Sequence, residues 1–337
     1  MTVSDFKIHS SGGTDMKKTV TFGMLAIALV TGSVLAQAAL PKLPVKATYR
    51  VGFAQTESNN PWRLAQTKSM QDEAKKLGYQ LVYTDAAGST AKQVADVRSM
   101  IAQKVDVIFL SPREDKPLAP VVAEARKAGI PVILLDRNID PKLAKAGTDY
   151  VTFIGSDFIE EGKRVGEWLV KNAGGKMNII ELEGTTGASP ANDRKKGFDD
   201  VIAKNPKFKI VASQTGDFSR DKGRQVAETL LQAHPEANVI YAHNDEMAIG
   251  AVSAIQAAGK VPGKDILVLS IDGGREAVQM VVDGKINYVV ECNPRFGPKA
   301  FATLKNYAAG KKLPAKIINE DRDYTPQNAK AGLAGAY

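Results

Sequence analysis

The sequence predicts an α/β protein built as two doubly wound domains, and three observations carry that expectation. From about Tyr49 onward, short apolar runs alternate with segments of helical periodicity. The runs are apolar on both faces, as strands of parallel sheets covered by helices must be. Polar residues stand at the end of nearly every run, in both halves of the chain.

The strand candidates, in order, are "YRVGFAQ", "YQLVYTD", "VDVIFLS", "PVILLD", "VTFIGS", "MNIIELEG", "FKIVASQT", "NVIYAH", "DILVLSID" and "INYVVE". Between them, Ala91, Val94, Val97 and Ile101, then Phe158, Val165 and Leu169, then Val226 and Leu230 recur at helical spacing. So many strands exceed one compact sheet, and two sheets fit better. The turn-rich stretch "NIDPKLAKAGTDY" (138–150) breaks the rhythm and is the expected division.

The segment "PVILLDRNID" (131–140) ends a buried strand with adjacent opposite charges, Asp136 and Arg137. Neighbouring strand residues point to opposite faces, so each charge needs a partner from elsewhere. The other runs end in Gln55, Asp85, Ser111, Ser156, Glu183, His243–Asn244, Asp272 and Glu291. In open parallel sheets ligands bind outside the carboxyl ends of the strands. Each polar end alone is explained by a strand meeting a loop. Two facing sets of amide, carboxylate and guanidinium groups point instead to a ligand held between the domains, which would supply the partner for Asp136 and Arg137.

Other segments supply candidates with two readings each. In "ESNNPWR" (57–63), Asn60 suits a helix cap and Pro61 a first turn, placing Trp62 and Arg63 just beyond the first strand. Trp62 is then core or an apolar platform beside the crevice. "EGTTGASPANDRKKGF" (183–198) opens a helix in which Arg194 is either solvated or a five-donor fork in the crevice. Phe218 in "TGDFSRDKG" is a hydrophobic staple or a second apolar face, and Asn244 in "YAHNDEMAIGA" a cap or a ligand contact.

Familiar chemistries are missing. The chain lacks a Walker pattern, a G-x-G-x-x-G after the first strand, an H-E-x-x-H pair and a G-x-S-x-G elbow. No cofactor or metal is expected. Asp136, Asp272 and Glu291 could suggest paired-carboxylate glycoside hydrolysis, but each lies near an Arg- or Asn-bearing segment that would keep it an ionised acceptor.

Composition sets the class. The 337 residues are 44% hydrophobic and 24% charged, as in a soluble globular protein. The net charge of +8 is spread among acids along helices such as "DEAKKLG", so it reads as a solvated surface and not a nucleic-acid site. Cys292 is the only cysteine, which excludes an intrachain disulfide and suits a small buried residue. Residues 1–15, "MTVSDFKIHSSGGTD", read as a non-native extension, such as a misplaced start codon would add. Residues 16–38 have the charged, apolar, small-residue order of a signal peptide, with cleavage expected after Ala36 or Ala38. No Cys follows the apolar run to carry a lipid anchor.

With "VGFAQTESNNPWR", "PVILLDR", "GTTGASPANDRKKGF", "SQTGDFSRDKG", "HNDEMAIGA", "SIDGG" and "VVECNP" together, the mature chain resembles periplasmic sugar-binding proteins of the ribose-binding type, the solute receptors of ABC importers. Through Trp62–Arg63, "LLDRNID" and "DRKKGF" it looks most like the galactofuranose-binding members. The resemblance implies a type I periplasmic binding protein fold of two Rossmann-like lobes joined by three crossovers near Ile154, Glu291–Cys292 and Asn319. The N-terminal lobe would be 47–153 plus 292–318, and the C-terminal lobe 154–291 plus 319–337. It implies sugar contacts from Trp62, Arg63, Asp136, Arg137, Arg194, Phe218, Asn244, Asp272 and Glu291. Trp62–Arg63 stands where ribose-binding relatives have two aromatics, and Glu291–Cys292 where they have Gln, which points away from ribose. The implied protein is a monomeric periplasmic receptor, not an enzyme, that delivers a monosaccharide to a membrane permease. A chemoreceptor-coupled sensor and a secreted glycoside hydrolase are the alternatives. A repressor's effector domain would need a DNA-binding helix pair where this chain has its signal segment.

Overall fold

The computed structural model describes residues 39–337. The signal peptide and the extension expected at 1–38 therefore lie outside the described residues. No described helix is long and apolar enough to cross a membrane.

Every expected strand forms: β1 (Arg50–Gln55), β2 (Gln80–Asp85), β3 (Val107–Leu110), β4 (Val132–Leu135), β5 (Phe153–Gly155), β6 (Met177–Glu183), β7 (Phe208–Thr215), β8 (Val239–Ala242), β9 (Leu267–Asp272) and β10 (Tyr288–Glu291). Two short late strands, β11 (Lys316–Ile318) and β12 (Asp323–Tyr324), carry no apolar run and escape sequence reading. The helices are α1 (Pro61–Leu77), α2 (Thr90–Ala102), α3 (Ala119–Lys127), α4 (Phe158–Asn172), α5 (Ser189–Ile202), α6 (Arg220–Ala233), α7 (Asp245–Ala257), α8 (Arg275–Val282), α9 (Gly297–Ala308) and α10 (Ala329–Gly332).

The strands make two six-stranded sheets, β11-β5-β4-β3-β1-β2 and β12-β10-β9-β8-β6-β7. All pairings are parallel except β10 with β12. The two orders match, so each sheet reverses direction beside its first strand, at β1/β3 and at β6/β8. Such a reversal leaves a crevice at the carboxyl ends of the strands.

Side-chain alternation sets the packing. In the second sheet Ile179, Tyr241, Leu269 and Ile271 join a core continuous with the first lobe. Their neighbours Ile180, Ile240, Ala242 and Val268 face a separate cluster on the other side. This period of two buries both faces of each strand.

The chain passes between lobes three times. The first passage falls at 156–157 rather than at 154, because Phe153–Gly155 is held between β4 and β11 in the first sheet. For the same reason the turn-rich stretch 138–150 lies within the first lobe and does not divide the chain. The second passage follows β10, after which α9 packs on α1. The third joins β11 to β12.

Local signals explain the helix starts that matter most. Asn60 Oδ1 accepts from the Arg63 amide at 2.9 Å with Pro61 in the first turn, and Asn244 Oδ1 accepts from the Met247 amide at 3.0 Å. Helices α4 and α5 touch backbone to backbone. A Cβ on Gly162 would meet the Arg194 carbonyl at 2.1 Å, and one on Gly197 the Ile159 carbonyl at 2.0 Å. That close approach sets Arg194 beside α4.

Candidate functional site

The carboxyl ends of both sheets converge on a polar hollow of about 330 Å³, counting its open mouth. Trp62, Arg63, Asp136 and Arg137 line it from the first lobe, and Arg194, Phe218, Asn244 and Asp272 from the second.

The first lobe's wall is a chain of ion pairs. Arg63 Nη1 lies 2.7 Å from Asp136 Oδ2 and donates to Gln66 Oε1 at 3.0 Å. Its guanidinium also sits 4.6 Å from the centre of the Trp62 ring. Arg137 Nη2 reaches Glu57 Oε1 at 3.4 Å, and Nη1 donates to the Arg113 carbonyl at 3.1 Å. Asp136 and Arg137 thus have protein partners, Arg63 and Glu57, and do not wait on a ligand for charge balance. Arg137 Nε is buried without a hydrogen-bond partner, a donor left over at the wall of the hollow. Burial pulls the Arg137 pKa down to about 10, with Arg63 adding to the fall and Glu57 opposing it, so the group stays cationic at neutral pH.

Both readings of Trp62 hold at once. The residue is 6% exposed, its edge meets Phe296 at 6.0 Å, and Nε1 donates to the Cys292 carbonyl at 2.7 Å across the second passage between lobes. The same ring lines the hollow.

The second lobe's wall is held from behind. Arg194 Nε donates to Glu161 Oε2 at 2.8 Å, Nη1 donates to the His243 carbonyl at 2.6 Å, and Nη2 lies 3.5 Å from Asp272 Oδ1. Burial pushes the Glu161 carboxyl up to about 7 against the pull of Arg194. Phe218 lies between two cations, 5.5 Å from the Arg137 guanidinium and 5.9 Å from that of Arg194. It fits because position 184 is glycine: a Cβ there would stand 2.0 Å from the ring. Asn244 caps α7 and also donates from Nδ2 to the Phe218 carbonyl at 3.2 Å. Of the two readings of Phe218, the structure gives the second: its ring stands in the wall of the hollow.

Asp136 and Asp272 share a backbone feature. Their φ values are 62° and 134°, and Phe218 has 56°. Non-glycine residues held at positive φ cost free energy and cluster at ligand sites. Burial drives the Asp272 pKa upward, with Arg194 opposing.

Glu291 departs from expectation. Its carboxylate turns away from the hollow to accept from Arg322 Nη2 at 2.7 Å and Nε at 2.8 Å. Burial alone would raise its pKa, but the bonds from Arg322 hold it low. Strand parity is the reason: Glu291 ends β10 on one face, and Cys292 takes the place on the hollow's wall. Asn60, read from sequence only as a cap, and Pro190 complete the lining, and the counter-charges Glu57 and Glu161 carried no signal in sequence. No His, Cys, Asp or Glu grouping among the described residues could hold a metal.

Three bonds join the lobes along the rim of the hollow. The Asp115 amide donates to the Gly187 carbonyl at 2.9 Å, the Asn138 amide to Ser189 Oγ at 2.7 Å, and Arg113 Nη2 to Asp217 Oδ1 at 3.4 Å. The two lobes are therefore shut on the hollow.

Comparison with known proteins agrees with this architecture. The chain is 42% identical over 301 residues to the galactofuranose-binding protein YtfQ of Escherichia coli (strain K12), covering 88% of this chain and 94% of that protein. A Mycobacterium smegmatis structure in complex with β-D-fucofuranose superposes with a TM-score of 0.81 at 46% identity, covering 85% of this chain and 94% of that one. The periplasmic binding protein of the arabinose ABC transporter from Shewanella sp. ANA-3, bound to α- and β-L-arabinofuranose, superposes with a TM-score of 0.80 at 41% identity, over 86% and 95% of the two chains. A family model described as a periplasmic binding protein domain matches residues 51–312. This chain belongs to the periplasmic binding protein family, whose members bind solutes and do not transform them.

Proposed function

We propose that this chain is a periplasmic receptor that captures one monosaccharide in its furanose form, galactofuranose or a close relative, and presents it to an ABC importer. The observation that carries the reading is the hollow itself, where carboxylate, guanidinium and amide groups and two aromatic rings from both lobes converge at the carboxyl ends of the sheets. A sugar hydroxyl donates and accepts, and Arg63, Arg137, Arg194 and Asn244 can give to oxygens whose protons Asp136 and Asp272 take. Trp62 and Phe218 would cover the C–H faces of the ring. The furanose form is favoured by the relatives, whose names and bound ligands are galactofuranose, fucofuranose and arabinofuranose.

The mechanism is hinge closure. The three passages flex, the lobes shut on the sugar, and the shut form is what a permease would recognise. A micromolar dissociation constant corresponds to about 8 kcal/mol, within reach of a few charge-assisted bonds and ring burial after ordering costs. Export through the segment 16–38 would deliver the mature chain to the periplasm. The deciding experiment is a thermal-shift panel of monosaccharides and methyl furanosides on the mature chain, since a ligand that binds only the folded state raises its melting temperature. Galactofuranosyl or arabinofuranosyl ligands should raise it most. A panel without any shift defeats the reading, and a shift confined to pyranose-locked sugars defeats the furanose assignment.

A further inference from the structure

The hollow assigned to the sugar has a larger neighbour. Beyond Trp62 and Asp272, which stand on the walls of both, lies a second hollow of about 1270 Å³, counting its open mouth. Its walls come from both lobes: Pro61 at the start of α1, Ile249 on α7, Met280 on α8, and Leu333 and Tyr337 from the final segment. On this side of the cleft the lobes are tied near the second passage, where Arg295 Nη1 donates to the Gly335 carbonyl at 3.2 Å. Among the described residues no hydrogen bond joins α1 to α7 or α8, whereas three bonds join the lobes along the rim of the first hollow.

The lining limits what could fill it. Apolar side chains and two aromatic rings, Trp62 and Tyr337, suit a flat apolar group. Asp245, Glu246, Glu276 and Asp283 outnumber Arg275 and Lys285, which disfavours an anionic one. Arg220 offsets part of that acidity through Glu246 and Glu276 without joining the lining. Burial also lifts the Asp245 carboxyl to about 7, as expected beside a poorly hydrated wall.

We propose that the receptor accepts O-glycosides of its sugar, with the glycosyl ring in the first hollow and a flat, uncharged aglycone in the second. The proposal rests on the sugar reading of the first hollow and on the adjacency of the two spaces, which share Trp62 and Asp272 as wall residues. An apolar group moved from water onto such a wall gains affinity in proportion to the area it covers.

Calorimetry with p-nitrophenyl β-D-galactofuranoside and p-nitrophenyl α-L-arabinofuranoside, each against its methyl counterpart, tests it. The aryl glycoside should bind at least tenfold tighter than the methyl one. Met280→Trp and, separately, Leu333→Trp should narrow the second hollow and erase that advantage while leaving the methyl glycoside's affinity within about twofold. UDP-galactofuranose should bind no better than the methyl glycoside. An aryl glycoside no tighter than the methyl one overturns the proposal, as does an advantage that survives both substitutions. Binding of the free sugars with rejection of every glycoside overturns it while leaving the monosaccharide reading intact. Failure of both free sugars and glycosides overturns the two together.

Discussion

Arg137 and Asp272 are the side chains on which sugar affinity should depend most. Replacing either by alanine should weaken binding tenfold or more, about 1.4 kcal/mol, in a calorimetric titration. The Arg137 variant should still fold, because Glu57 keeps its 2.9 Å pair with Arg113. Unchanged affinity in both variants would remove them from the site. Glu161 makes a different prediction. Its folded pKa of about 7 lies above the ordinary 4.5, so the folded state holds the extra proton. Its contribution to stability is therefore complete below pH 4.5 and lost as pH rises through 7, at about 1.4 kcal/mol per unit of pKa difference. Asp245 (about 7) and Asp321 (about 6), both raised chiefly by burial, act in the same direction. Scanning calorimetry of the sugar-free protein should show Glu161→Gln flattening the slope of melting temperature between pH 4.5 and 7. An unaltered slope would mean the carboxyl is not raised. Which residues were legible follows from geometry. Asp136–Arg137 and Trp62–Arg63 betray themselves by charge or bulk at a strand or helix end. Cys292 and Glu291 were exchanged because sequence alone does not give the parity of the last strand residue. Glu161 was invisible because its partner stands 33 positions away, brought near only by the packing of two helices.

At the scale of elements, small residues decide where large ones go. Gly184 leaves room for the Phe218 ring, so Gly184→Ala should displace the ring, destabilise the fold by about 1–3 kcal/mol as overpacking does, and weaken sugar binding. Denaturant unfolding and calorimetry on the same variant check both effects, and wild-type affinity would show that Phe218 lies outside the contact surface. The strand and helix order was readable almost throughout because buried parallel strands and amphipathic helices have distinct periods. β11 and β12 were not, since three- and two-residue strands are defined by their partners and not by their own composition. The same dependence moved the first passage: Phe153–Gly155 looks like the start of a new unit in sequence and is held in the old one by β4 and β11.

For the whole molecule, three bonds at the rim hold the closed arrangement, and the proposed sugar would add its own contacts in the middle. Asp217 belongs to the rim and is absent from the hollow's lining. Asp217→Ala should speed sugar release about two- to fivefold with little change in the association rate, the size expected of one half-buried ion pair. Stopped-flow fluorescence can separate the two rates, and a release rate equal to wild type would place the pair outside the closing interaction. The other two fasteners start from main-chain amides, Asp115 to Gly187 and Asn138 to Ser189. Amides carry no titrating charge and feel dissolved ions little, so brine should loosen only the third clasp. How long a cargo is kept could thus drift with a single codon at position 217, while the choice of cargo stays as it was.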